Sequence, residues 1–178
     1  MNSCLVVAGR IPGCHQAHIR PLTMQVILLI GIPAVGKSTF FRERFADTHV
    51  RINRDMLKTR NREQRLFKTC LEVCQSLVVD NTNATREVRA KFIIPAVEAG
   101  AIVSGYYFHS AASEALVRNA SRSGAARIPD KGVLSMSAQL QLPSLAEGFD
   151  TLKYVRIEDN GGFSVKRWNP TTTNSPSS

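Results

Sequence analysis

Short apolar runs alternate with longer segments of helical periodicity through most of the chain. A short run without polar alternation is typical of a strand buried on both faces of a parallel sheet. On this basis the predicted strands are residues 26–30, 49–52, 77–80, 101–108 and 153–158. The predicted helices are residues 39–45, 60–74, 85–100, 113–123 and 134–140. Alternating strands and helices predict an α/β fold, with five parallel core strands and helices on both faces of the sheet.

The segment 60–74 shows how the helical pattern assigns a buried face. Leu66, Cys70 and Val73 recur at helical spacing, and Glu63 falls elsewhere on the helix. Cys70 and Cys74 share a face, so both are expected to be reduced thiols in the core. The four cysteines of the chain lack the paired spacing of a zinc site. Reduced thiols favour an intracellular compartment, which would be cytoplasmic, or nuclear in a eukaryote.

Both ends of the sequence are expected to lie outside the folded unit. Residues 1–23 have no clear periodicity and predict a poorly ordered extension. Residues 169–178 contain only Asn, Pro, Thr and Ser, which predicts a disordered tail. The folded domain is therefore placed at residues 24–168. No apolar run reaches 18 residues, so no membrane partner is expected.

A glycine-rich loop follows the first predicted strand and leads directly into a helix. Its sequence, GIPAVGKS at residues 31–38, is a complete G-x-x-x-x-G-K-[ST] pattern in the strand–loop–helix context that this motif requires. Lys37 supplies a cation for the β- and γ-phosphates of ATP, and the Ser38 hydroxyl is a hard oxygen ligand for Mg²⁺. The residues predicted to contact the nucleotide here are Gly31, Ile32, Pro33, Ala34, Val35, Gly36, Lys37, Ser38 and Thr39.

Two aspartates stand at the ends of later strands. Asp55 follows the second predicted strand, and Asp80 ends the third. The carboxyl ends of parallel strands face the ligand crevice in open α/β sheets. Asp55 is thus placed both for chemistry and for capping the next helix.

The charge balance favours a polyanionic partner. The chain has 178 residues with 23 Lys and Arg against 14 Asp and Glu, a formal net charge of +9. Most of these cations are arginines, which suit bidentate phosphate contact. Many ATP-binding proteins are basic without binding nucleic acid, so charge alone does not choose the acceptor.

Five stretches of the chain resemble the polynucleotide 5′-hydroxyl kinase family, the kinase half of polynucleotide kinase/phosphatases. In order they are GIPAVGKSTF (31–40), INRD (52–55), DNTN (80–83), RNASRSGAARIP (118–129) and PSLAEGF (143–149). The resemblance covers roughly residues 25–157. No Asp-x-Asp motif occurs in the sequence, so the 3′-phosphatase activity often fused to this kinase is not expected.

The resemblance implies a role for each matching residue on the nucleotide side. Lys37 and Ser38 would hold the γ-phosphate and Mg²⁺. Arg118 and Arg122 would close a basic lid over the β- and γ-phosphates, where negative charge must be held during transfer. Arg127 is a further lid candidate.

On the acceptor side, the resemblance implies that Asp55 accepts the proton of a 5′-hydroxyl as it attacks phosphorus. Arg54 would orient the acceptor phosphate or pair with Asp80. Lys58 stands where some members have an arginine for the acceptor's 3′ phosphate. Asp80 and Asn83, from the DNTN stretch, are assigned to the substrate side, and Asp80 also supports Mg²⁺. The implied acceptor is a nucleic acid with a 5′-hydroxyl end.

Two other functions use the same residues. A kinase for a small-molecule hydroxyl, on a nucleotide, sugar or antibiotic, would need the same Lys, Ser, Asp and Arg set. A non-catalytic ATP-binding module would regulate a partner, but it would need no acceptor-side base. The basic charge and the INRD and DNTN stretches favour the polynucleotide acceptor over the small molecule.

Overall fold

The protein is described by a computed structural model for residues 23–124 and 127–169. Except for Thr23 and Asn169, the predicted N-terminal extension and C-terminal tail lie outside the described residues. The longest helices have 13 residues, and none in the described ranges is long and apolar enough to cross a membrane. The strands are β1 Gln25–Ile30, β2 Val50–Ile52, β3 Leu77–Asp80, β4 Ile102–Phe108, β5 Thr151–Ile157 and β6 Phe163–Arg167. The α-helices are α1 Lys37–Arg44, α2 Arg54–Leu57, α3 Arg60–Glu72, α4 Arg86–Glu98, α5 Ala112–Ala120 and α6 Asp130–Gln139, with a 3₁₀ turn at Leu145–Glu147.

The six strands form one sheet in the order β2-β3-β1-β4-β5-β6. The first five strands pair in parallel, and β6 returns antiparallel to β5 as a hairpin. The predicted α/β fold is confirmed, since five parallel core strands are flanked by helices. Because β1 lies between β3 and β4, the loops that leave β1 and β3 are neighbours at one edge of the sheet. This is the edge where open α/β sheets bind ligands.

The core lies on both faces of the sheet because alternate residues of each strand point to opposite sides. On one face, Phe67 of α3 and Phe92 of α4 pack with even-numbered residues of β1, such as Leu28. On the other face, Phe40 of α1 and Val133 of α6 pack with odd-numbered residues of the same strand. Burial of each large apolar side chain stabilises the fold by about 1.5–3 kcal/mol. The central strand that carries the glycine-rich loop is therefore held firmly from both faces.

Four sequence expectations about helix α3 are wrong. The helix ends at Glu72 rather than residue 74, and Val73 is 67% exposed. Cys74 is also exposed, with a left-handed φ of 55°, so only Cys70 of this pair is a buried thiol. Glu63, which the pattern placed away from the buried face, is 1% exposed. The helix stops two residues early because the chain must reverse toward β3, and this carries Val73 and Cys74 out of the helical pattern.

Candidate active site

The glycine-rich loop at residues 31–36 joins β1 to α1. Side chains are disfavoured at its two glycines, Gly31 and Gly36. Gly36 has φ 89°, and a Cβ at this position would lie 2.9 Å from Ile157 Cδ1 and 3.0 Å from Phe163 Cε1. A Cβ at Gly31 would lie 3.1 Å from Phe108 Cβ. The loop is thus pressed against β4, β5 and β6, and it delivers the N-terminus of α1 to the edge of the sheet. Backbone N–H groups at a helix start form an anion site.

Lys37 is the first residue of α1, and its ammonium folds back over the loop. Nζ donates hydrogen bonds of 2.8 Å to the carbonyls of Gly31 and Ile32. Burial lowers the pKa of Lys37 from 10.5 to about 8; Asp80 and Asp55 oppose this shift, and Arg122 adds to it. These influences place two carboxylates and one guanidinium within electrostatic range of the ammonium.

Ser38 and Asp80 meet across the ends of α1 and β3. The Ser38 hydroxyl donates a 2.9 Å hydrogen bond to Asp80 Oδ2. The same oxygen accepts a 2.9 Å bond from Arg51 Nε and a second, shorter bond from Arg51 Nη2. The guanidinium of Arg51 also lies over the ring of Phe41, 5.3 Å from its centroid. Arg51 was not identified from the sequence, because nothing in a three-residue strand marks one arginine as a partner for a carboxylate 29 positions away.

The donor chemistry at Ser38 fits Mg²⁺ bound together with a nucleotide. A hydroxyl oxygen next to a carboxylate is suited to a hard cation, with Asp80 orienting the hydroxyl. The described residues contain no group of three or more His, Cys, Asp or Glu side chains that could hold a metal without other ligands. The remaining ligands would therefore come from phosphate oxygens and water, as is usual for Mg²⁺.

The residues predicted to form the acceptor side, Arg54 and Asp55, lie on the short helix α2. Its cap is Asn53, whose Oδ1 accepts a 3.0 Å hydrogen bond from Met56 N. The expectation that Asp55 caps this helix is wrong, because Asp55 lies in its first turn. The guanidinium of Arg54 pairs with Glu63 at 3.3 Å, and Asp80 pairs with Arg51, so the expected pairing of Arg54 with Asp80 is not found.

Lys58 and Asn83, both predicted to contact the substrate, differ in their relation to the cleft: Asn83 lines it and Lys58 does not. Lys58 is exposed just after α2 and does not line the cleft at the loop. Asn83 is 2% exposed, and its Nδ2 donates to the carbonyls of Leu29 (2.8 Å) and Val79 (3.2 Å). Because these two acceptors fix the amide orientation, the visible role of Asn83 is to join the ends of β1 and β3.

The two lid arginines occupy different positions. Arg118, in α5, donates a 2.9 Å bond from Nε to the carbonyl of Ala34 and pairs with Glu114 at 3.2 Å. It therefore contacts the glycine-rich loop itself. The predicted helix 113–123 ends at Ala120, so Arg122 lies beyond it, where it lines the cleft. Arg127 is exposed, and residues 125–126 lie outside the described ranges.

These elements enclose an open cleft of about 500 Å³. It brings together side chains from all the motifs noted in the sequence between residues 31 and 129. Of the predicted site residues, those lining it are Pro33, Ala34, Gly36, Lys37, Ser38, Arg54, Asp55, Asp80, Asn83 and Arg122. Residues not predicted that also line it include Asn53, Arg60, Glu63, Gln64, Asn81 and Lys91. Such an arrangement can bind a polyphosphate at one end and present a carboxylate to a second substrate.

A family model described as an AAA domain matches residues 26–143, from β1 to just beyond α6. The match includes the glycine-rich loop and both strand-end carboxylates. The chain belongs to this AAA domain family. The resemblance to the polynucleotide 5′-hydroxyl kinase family, and with it to the P-loop kinases, is confirmed.

One curated protein and two solved structures are similar to this AAA domain protein. The bifunctional polynucleotide phosphatase/kinase of Schizosaccharomyces pombe (strain 972) is 28% identical over 146 residues, 79% of this chain, which spans 36% of that relative. A chain in the structure of the Pnkp1/Rnl/Hen1 RNA repair complex is 25% identical to this protein, with a TM-score of 0.51. The match covers 67% of this chain and 44% of that chain. A gluconokinase from Sinorhizobium meliloti 1021 has a TM-score of 0.55 at 18% identity, which shows a shared fold. The match covers 77% of this chain and 84% of the gluconokinase chain.

The lowered pKa of Lys37 predicts that nucleotide binding takes up a proton. At about pH 8.5 most Lys37 side chains of the free protein are neutral, and phosphates placed beside the amine should restore its charge. ATP binding should then take up part of a proton, and the affinity should weaken as the pH rises above about 8. Calorimetry in two buffers with different ionisation enthalpies measures this uptake. No proton uptake between about pH 8 and 9 would contradict this position for Lys37.

Proposed function

We propose that this protein is an ATP-dependent kinase that transfers the γ-phosphate to the 5′-hydroxyl of a polynucleotide. The family and its kinase relatives establish the broader statement, that it is a P-loop domain of the phosphotransferase type. The observation that carries transfer to a hydroxyl acceptor is the position of Asp55, and the choice of a polynucleotide is supported by charge and similarity. Asp55 lines the same cleft as Lys37 and Ser38 but belongs to a different element, on the side where an acceptor would enter.

In the proposed reaction, the acceptor hydroxyl oxygen forms a bond to the γ-phosphorus while the bond to the bridging oxygen of ADP breaks. Asp55 takes the hydroxyl proton, which makes the oxygen a better nucleophile. Lys37 moves from the loop carbonyls to the phosphates, and Arg122, which also lines the cleft, adds positive charge. Mg²⁺, held through Ser38 and phosphate oxygens, would neutralise charge on the β- and γ-phosphates.

A polynucleotide acceptor is supported by charge and by similarity. The net charge of +9 and two exposed cations at the cleft, Arg60 and Lys91, suit a phosphodiester chain. The similarity to the fission yeast phosphatase/kinase extends over most of this chain. This chain spans only 36% of that relative, so the relative's phosphatase activity and partners do not transfer to this protein.

The decisive experiment uses purified protein, γ-labelled ATP and two matched oligonucleotides. Label should transfer to the oligonucleotide with a 5′-hydroxyl, and the same oligonucleotide with a 5′-phosphate should remain unlabelled. Running DNA and RNA versions side by side determines the preferred backbone. Failure to label either hydroxyl end, while ATP still binds, would reject the proposal.

A small-molecule kinase is the second candidate, and one observation favours it. The gluconokinase shares this fold over 84% of its own chain, so the same fold serves a kinase with a small-molecule acceptor. A panel of sugar acids, sugars and nucleosides in the labelled-ATP assay tests this function. Turnover of a panel member above that of the oligonucleotide would make the small molecule the substrate.

Salt dependence separates the two acceptors without a variant. For a single-stranded acceptor held by two or three phosphate contacts, KM should rise roughly 7- to 20-fold between about 50 and 200 mM salt. KM for ATP, measured in the same reactions, should rise less, because its phosphates lie in the cleft near Lys37 and Arg122. A flat oligonucleotide KM over this range would favour the small-molecule acceptor.

A further inference from the structure

Helix α2, which carries Asp55, is held in place mainly by polar contacts. It is a single turn of four residues, Arg54–Leu57, and none of them is buried. Only Leu57, partly buried, packs against the core. A helix this short is not stable without help from its surroundings. Other contacts must therefore determine where Asp55 sits relative to the glycine-rich loop.

Those contacts come from two asparagines and one glutamate. Asn53 Nδ2 donates a 2.5 Å hydrogen bond to the carbonyl of Asp80, which ties the start of α2 to β3. Asn81 Oδ1 accepts a 3.0 Å bond from the backbone N–H of Arg54, and Asn81 Nδ2 donates a 2.6 Å bond to Glu63 Oε1. The second oxygen of Glu63 pairs with the Arg54 side chain at 3.3 Å.

Glu63 is the residue on which this arrangement depends. It is 1% exposed, although a buried carboxylate is costly unless it is fully partnered. Its two oxygens hold the side chain of Arg54 directly and the backbone of Arg54 through Asn81. Glu63 comes from the first turn of α3, so it connects α3, the loop after β3 and α2.

We propose that Glu63 is a positioning residue for phosphoryl transfer, because it fixes α2 and so holds Asp55 at the distance that proton transfer requires. This inference rests on the proposed function, in which Asp55 is the base. A displacement of about 1 Å at a reacting group can reduce a rate by about 100-fold. Loss of the contacts that Glu63 makes with Arg54 and Asn81 should therefore lower kcat. ATP binding depends on the loop and α1 and should be almost unchanged.

The first test compares three variants in the labelled-ATP assay. Glu63→Ala should reduce kcat by about 10- to 100-fold with little change in KM for ATP. Glu63→Gln keeps an acceptor for Asn81 Nδ2 and should retain most of the activity. Glu72→Ala, an exposed glutamate of the same helix, should match wild type. A kcat for Glu63→Ala within twofold of wild type would overturn the inference.

A double-mutant cycle separates positioning from a general structural role. If Glu63 acts through Asp55, adding Glu63→Ala to Asp55→Asn should change kcat by less than about twofold, because the lost interactions are shared. A role independent of Asp55 would instead give the same loss in both backgrounds. That outcome would reject the inference even if the single variant is slow.

Hydrogen exchange provides a readout without any acceptor. The amides of Met56 and Leu57 bond to Asn53 Oδ1 and the Asn53 carbonyl, so they report on the order of α2. Glu63→Ala should speed their exchange, and Glu72→Ala should not. If the wild-type protein labels no acceptor, the proposed function fails. Faster exchange in Glu63→Ala would still show that Glu63 holds α2 in place. Unchanged exchange in Glu63→Ala would overturn the inference that Glu63 holds α2 in place.

Discussion

Replacing Asp55 by asparagine should lower kcat by roughly 100- to 10,000-fold, the usual contribution of a general base. Asparagine keeps the size of the side chain but cannot accept the acceptor's proton at neutral pH. The helix cap is Asn53, and Asp55 is exposed, so the substitution should leave the melting temperature nearly unchanged. ATP affinity should also stay near that of wild type, since Asp55 belongs to α2, a separate element from the glycine-rich loop and α1.

The matched control for this experiment is Asp47→Asn, an exposed aspartate in the turn after α1. It removes the same charge from the surface without touching the cleft and should match wild type in both kcat and melting temperature. A kcat for Asp55→Asn within a few-fold of wild type would exclude Asp55 as the base and return the acceptor side to an open question.

Lys37→Ala should lower kcat by at least about 100- to 1,000-fold, the loss expected when one preorganised transition-state donor is removed. Lys37 carries the ammonium that lies over the glycine-rich loop, and Arg122 approaches from a separate segment. The fold should survive, because burial already disfavours the charged lysine, as its pKa of about 8 records. Melting curves with and without ATP, together with kcat, give the complete test.

Lys68→Ala is the control for Lys37→Ala. Lys68 is exposed on α3, and its loss changes the net charge equally while leaving the cleft intact. It should behave as wild type in turnover and in stabilisation by ATP. Wild-type turnover in Lys37→Ala would show that the glycine-rich loop does not act in phosphoryl transfer.

The parts of the site that sequence could predict depend on local rules. Gly31, Gly36 and Lys37 belong to a contiguous motif whose backbone conformation follows from its glycines. Asp55 and Asp80 follow buried strands, and parallel topology brings such strand ends to one edge. Both carboxylates do line the cleft with Lys37.

The parts that sequence could not predict depend on partners far apart in the chain. Glu63 is a charged residue outside the apolar stripe of its helix, so periodicity assigns it to solvent. It is buried because Asn81 and Arg54, 18 and 9 residues away, satisfy both oxygens. Arg51 reaches Asp80 across the sheet in the same way. Pairings of this kind require the strand order, which no local pattern supplies.

The crowding at Gly36 limits how this loop could change through evolution. The position must accept φ 89°, and it must also leave room for Ile157 and Phe163. A second substitution that shrank Phe163 could relieve the steric conflict of an alanine at position 36, but the left-handed backbone would stay unfavourable. The two constraints are independent, so no single compensating change restores the position. Substitutions in the β6 hairpin are therefore constrained by the glycine-rich loop that its side chains contact.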